Sequence, residues 1–72
     1  MNMNGFRLVE TPSDAVFADY LRRHGAIDTI FIGAHGVLWL DANEVTIAAV
    51  FQYSGQSSPF VWIPAGQTMR GE

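Results

Sequence analysis

At 72 residues the chain is one domain, and with no cysteine it excludes disulfides, Cys-containing zinc sites and thiol chemistry. Four arginines, no lysine and seven acidic residues give a formal net charge of −3, so the chain has no electrostatic footprint for phosphate backbones and direct nucleic-acid binding is not expected. Hydrophobic residues make up 49 % of the chain and charged ones 15 %, the balance of a chain that collapses around a core.

A chain this short buries only roughly 60 % of the surface its unfolded form exposes, so oligomerisation or unusually good packing is expected to support it. The start, MNMNGFRLVE, lacks a basic n-region and an apolar h-region. No apolar run reaches the ~18 to 20 residues needed to span a bilayer, so a cytoplasmic protein without membrane contact is expected.

Residues 6–10, bounded by Gly5 and Pro12, are β-prone and predict a first strand. A helix follows: Thr11 can cap it, Pro12 suits its first position, Asp14 favours the positive end of its dipole, and Arg22, Arg23 and His24 lead to a terminating Gly25. Val16, Phe17, Tyr20, Leu21 and His24 recur at three- and four-residue spacing and mark its apolar stripe. Residues 29–32 and 37–40 then predict a hairpin around the glycine-flanked Gly33-Ala34-His35-Gly36.

Residues 45–53 are ambiguous. Asp41-Ala42-Asn43-Glu44 imitates a capping box and Gly55 can end a helix, but Val45, Thr46, Ile47, Val50, Phe51 and Tyr53 are β-branched or aromatic. The strand reading is preferred, with 41–44 a turn. Residues 60–63 predict a last strand, and 1–4 and 65–72 are expected to be flexible ends of the single domain 1–72. The fold class is therefore α+β, one helix on a small antiparallel sheet in the order β-α-β-β-β-β, with β-α-β-β-α-β as the alternative.

One helix covers one face of a sheet. Alternation along the strands nonetheless makes both faces apolar: Val37 and Trp39 oppose Leu38 and Leu40, and Phe60 and Trp62 oppose Val61 and Ile63. One set is aliphatic; the other gathers Phe31, Trp39, Phe60 and Trp62, with Phe51 and Tyr53 as further members. Four aromatic side chains at ~150 to 250 Å² each would rival the largest apolar patch of a typical monomer, so this face is expected to meet a protein partner, either a target or a second copy. Phe31, Trp39, Tyr53, Phe60 and Trp62 are the candidate protein-binding residues.

Few residues invite chemistry. Arg23-His24-Gly25 resembles the RHG triplet of the histidine phosphatase superfamily, in which the histidine becomes phosphorylated, but the match covers three residues, ends a helix instead of following a strand, and sits in a chain far shorter than that family's domain. His24 reads as a helix-end cation. His35, between glycines, is the secondary candidate, as a base or beside an anion-accepting turn. His24, Asp28 and Asp41 have no recurrent metal-ligand spacing, Ser54, Ser57 and Ser58 lie in no G-x-S-x-G elbow, and no phosphate loop is present. No metal or cofactor is expected.

The chain reads as a small non-enzymatic protein-interaction module, an inhibitor or adaptor that binds a larger protein partner, and as a homodimer. In size and composition it resembles the inhibitors that phages and mobile elements encode against bacterial defences, anti-CRISPR proteins among them; no motif carries that likeness. The alternative is a small oligomeric enzyme or ligand-binding subunit with a site near His35.

Overall fold

The computed structural model describes residues 4–69. Its helix, α1 (Asp14–Arg23), begins where Ser13 takes an extended conformation and its Oγ accepts the Val16 N–H at 3.2 Å. Ser13, not Thr11, is thus the cap. Pro12 holds the chain extended ahead of the helix, and the Thr11 hydroxyl instead donates to the Pro59 carbonyl at 2.8 Å. At the other end Gly25, with φ +71°, lets its own N–H reach Arg22 O and that of Ala26 reach Leu21 O, satisfying two carbonyls the helix leaves open.

Five strands, β1 (Phe6–Val9), β2 (Asp28–Ile32), β3 (Gly36–Leu40), β4 (Thr46–Phe51) and β5 (Phe60–Pro64), form one antiparallel sheet in the order β1-β5-β4-β3-β2. The domain is α+β, with a single helix on this sheet, and 46–51 is strand. Asp41 shows why the apparent capping box fails: its Oδ1 accepts the N–H groups of Asn43 and Val45, closing a turn that Glu44 completes at φ +62°. The β-branched residues that follow favour the sheet.

A register shift between Trp39 and Leu40 leaves Ile47 without an opposite residue on β3. The Ile47 carbonyl accepts instead from the Tyr20 hydroxyl at 2.7 Å. Tyr20 is fully buried at the centre of α1, so one side chain pins the helix to the irregular point of the sheet. Its ring lies 4.2 Å from that of His24, and the Arg23 guanidinium sits 5.9 Å from the ring centroid.

The core lies between α1 and the sheet. Val9, Ala48, Val61 and Ile63 pack with Tyr20, and Val16, Phe17, Leu21, Trp39 and Val50 surround them. Met69 also enters this core and is 2 % exposed. Of the expected flexible ends, 1–3 and 70–72 lie outside the described residues; the stretch approaching Met69 is tied down, because Arg7 Nη2 donates to the Gln67 carbonyl at 2.8 Å and the Ala65 N–H to Gly5 O at 2.8 Å.

Candidate protein-interaction surface

Strand pairing resolves the sheet into rows. Phe31, Val37, Val50, Val61 and Val9 are successive cross-strand neighbours, as are Thr29, Trp39 and Ala48. These rows carry the residues that meet α1, with Trp39 set edge-on to Phe17 at 5.0 Å between centroids. The opposite face is built from Ile30, Leu38, Ala49, Trp62 and Leu8 in one row and Ile32, Gly36, Phe51 and Phe60 in the next. Neither of these two rows contains a charged residue.

The expected aromatic cluster is therefore divided. Trp39 belongs to the helix side, where it is a packing residue. Phe31 shares that side but stands on the edge strand beyond the helix, 75 % exposed. Phe60 and Trp62 occupy the open face together, and Tyr53 joins them indirectly by stacking on Phe51, rings 6.5 Å apart and nearly parallel. Alternation within β2, β3 and β5 is as read from the sequence, while the register shift at Ile47 interrupts that of β4; the grouping across strands also differs, because a three-residue tip pairs Ile32 with Gly36 while Phe51 pairs with Phe60.

Close packing within the open face comes from a size match. Ala49, fully buried, lies between Leu38 and Trp62, whose larger side chains close over it. Gly36 plays the same part under Phe51: a Cβ built there would stand 2.5 Å from the Phe51 ring. Around these filled points Leu8, Ile30, Ile32 and Phe60 remain exposed. Leu8, Leu38, Ile30 and Ile32 were not among the candidates read from the sequence; for β2 and β3 the aliphatic half of the alternation lies on the open face, whereas for β5 the aliphatic half, Val61 and Ile63, packs under the helix.

On the helix side a cleft of about 250 Å³ opens between Pro12, Asp14, Phe17, Trp39, Pro59 and Val61. It falls below the ~300 to 1,000 Å³ of small-molecule sites, and its polar lining is Asp14 and Thr11, the latter's hydroxyl already donated to the Pro59 carbonyl. His35 lies at the β2–β3 tip, where its Nδ1 is 3.2 Å from the Gln52 carbonyl and its own carbonyl accepts the Gln52 N–H at 2.9 Å. Its ring is 5.5 Å from that of Tyr53. These contacts tie the hairpin tip to the end of β4, and among the described residues no carboxylate or hydroxyl is bonded to the imidazole. Among the described residues no three His, Asp or Glu side chains form a metal-holding group, and no helix is long and apolar enough to cross a membrane.

No protein-family model matches the chain, and neither a curated protein nor a solved structure does.

Proposed function

We propose that this chain is a small protein-interaction module whose open sheet face docks on a larger protein, acting as an inhibitor or adaptor without chemistry of its own. The observation that supports this reading is the pair of uncharged rows that cross the face, with Leu8, Ile30, Ile32 and Phe60 exposed and Trp62 half-buried among them. A nucleic acid or polar metabolite needs charges or convergent hydrogen-bonding groups; this face offers aromatic and aliphatic area, the composition of the dry centre of a protein interface. The cytoplasmic, phage-type inhibitor is the specific form that the chain's size, acidity and lack of cysteine favour.

Trp62 and Phe60 are the proposed anchors. Trp62→Ala is expected to weaken binding of a captured and purified partner by about 2 kcal/mol or more, as loss of an interface anchor does, while His35→Ala leaves it unchanged. Calorimetry of both variants against the parent measures this. Retained affinity in Trp62→Ala and Phe60→Ser, or an affinity lost with His35→Ala, contradicts the proposal.

A further inference from the structure

We infer that the edge strand β2 pairs antiparallel with β2 of a second copy, joining two five-stranded sheets into one of ten strands about a two-fold axis at Ile30. An edge strand directs alternate N–H and C=O groups away from its own sheet, and natural edges are usually blunted by charge, proline, bulges or extreme shortness. β2 has little of this protection. It runs for five residues, all exposed, in full register with β3 and without a bulge, and its one charge is Asp28 at the first position, where the carboxylate accepts the Thr29 N–H at 2.9 Å. Its neighbours in exposure are Phe31 at 75 % and the flanking Ile27 at 72 %.

Three features select a second copy as the occupant. First, antiparallel pairing centred on Ile30 uses all five residues of β2: Ile30 faces its own counterpart, Thr29 faces Phe31, and Asp28 faces Ile32. Second, charge sets the direction, since parallel self-pairing would place the two Asp28 carboxylates side by side, whereas the antiparallel arrangement holds them at opposite ends. Third, the row from Leu8 through Trp62, Ala49 and Leu38 to Ile30 continues without interruption into the same row of the second copy. On the helix side each Phe31 lies beside the second copy's Thr29, within diagonal reach of its Ile27 and Phe31, which covers the most exposed apolar side chains of the molecule.

A two-fold perpendicular to the sheet puts both helices on one side and both open faces on the other. The pairing takes up Ile30 and Ile32 at the margin of the open face but leaves Trp62 and Phe60 uncovered, and the inference does not rest on the function proposed above. Because one edge strand buries less than a standard interface, the dimer is weak, with a dissociation constant on the order of micromolar or above.

Sedimentation equilibrium over a concentration series into the millimolar range tests the pairing, with circular dichroism confirming that each variant is folded. The parent is expected to pass from monomer to dimer. Ile30→Lys and Ile30→Glu, each placing like charges across the axis, are expected to dimerise at least tenfold more weakly alone and to recover association when mixed. Because the chain has no cysteine, Ile30→Cys should form a disulfide-linked dimer under mild oxidation and Leu8→Cys, on the far edge, should not. A parent monomeric throughout, an Ile30→Lys variant that dimerises like the parent, open-ended association in place of a dimer, or equal cross-linking at both cysteines overturns the inference.

Discussion

The two edges of this sheet are guarded very differently. β1 is four residues long, carries Arg7, and is bound to the segment 65–69 through the Arg7 to Gln67 and Ala65 to Gly5 hydrogen bonds. Behind it Val9 and Met69 are buried against Tyr20. β2 is longer, fully exposed along its length and apolar at Ile30, Phe31 and Ile32. The same sheet thus has a closed half, where helix and C-terminal segment meet, and an open half whose strand composition is that of a buried strand. Stability is concentrated in the first half, and the second supplies surface.

That division is broken most severely at Tyr20. Tyr20→Ala removes the side chain joining α1 to the sheet and is expected to cost about 3 to 5 kcal/mol, read by urea unfolding followed through tryptophan fluorescence. Tyr20→Phe isolates the hydroxyl; leaving the Ile47 carbonyl without its donor is expected to cost about 1 to 3 kcal/mol in the same measurement. Gly36→Ala probes the open face, since the new methyl must displace the Phe51 ring, and a loss of about 1 to 3 kcal/mol is expected. An unchanged midpoint would show that the ring is not held over Gly36.

Phe31→Ser sharpens the contrast from the other side. At concentrations where the chain is monomeric it is expected to change folding stability by no more than about 0.5 kcal/mol, despite removing a phenyl ring. The smallest effect belongs to Asp19, whose carboxylate accepts from Arg23 Nε at 2.8 Å and from Arg22. The Arg23 hydrogen bond chiefly, with that of Arg22, holds its pKa below the ordinary 3.8 against some opposing desolvation. A carboxylate with a lowered folded-state pKa contributes fully above its unfolded value and loses that contribution as pH falls through the folded one. Asp19→Asn should accordingly lower the unfolding midpoint slightly at neutral pH and flatten the acid-side decline, so that variant and parent converge at low pH.

Much of the fold was legible because local chemistry and tertiary context agree. Residues 14–23 combine an apolar stripe with terminal cations and Gly25, and the helix forms there, its start displaced only from Thr11 to Ser13. The β-branched content of 46–51 outweighed a capping-box imitation, since Asp41 spends its carboxylate on a turn. Two apolar faces under one helix were also readable from alternation alone. What was not readable is which residues share a face. A strand shows which of its own side chains alternate, but the phase between strands depends on turn length and on the irregularity at Ile47. Hence Trp39 went under the helix while Trp62 went to the open face. Met69 was hidden for another reason: its neighbours are polar, and only long-range closure through Arg7 and Gln67 brings it to the core.

Amide hydrogen exchange at low and high protein concentration tests the unequal edges most directly. The account predicts that protection of Thr29 to Ile32 amides rises with concentration while that of β1 amides stays constant. Concentration-independent exchange on β2, or a rise on β1 instead, would contradict it.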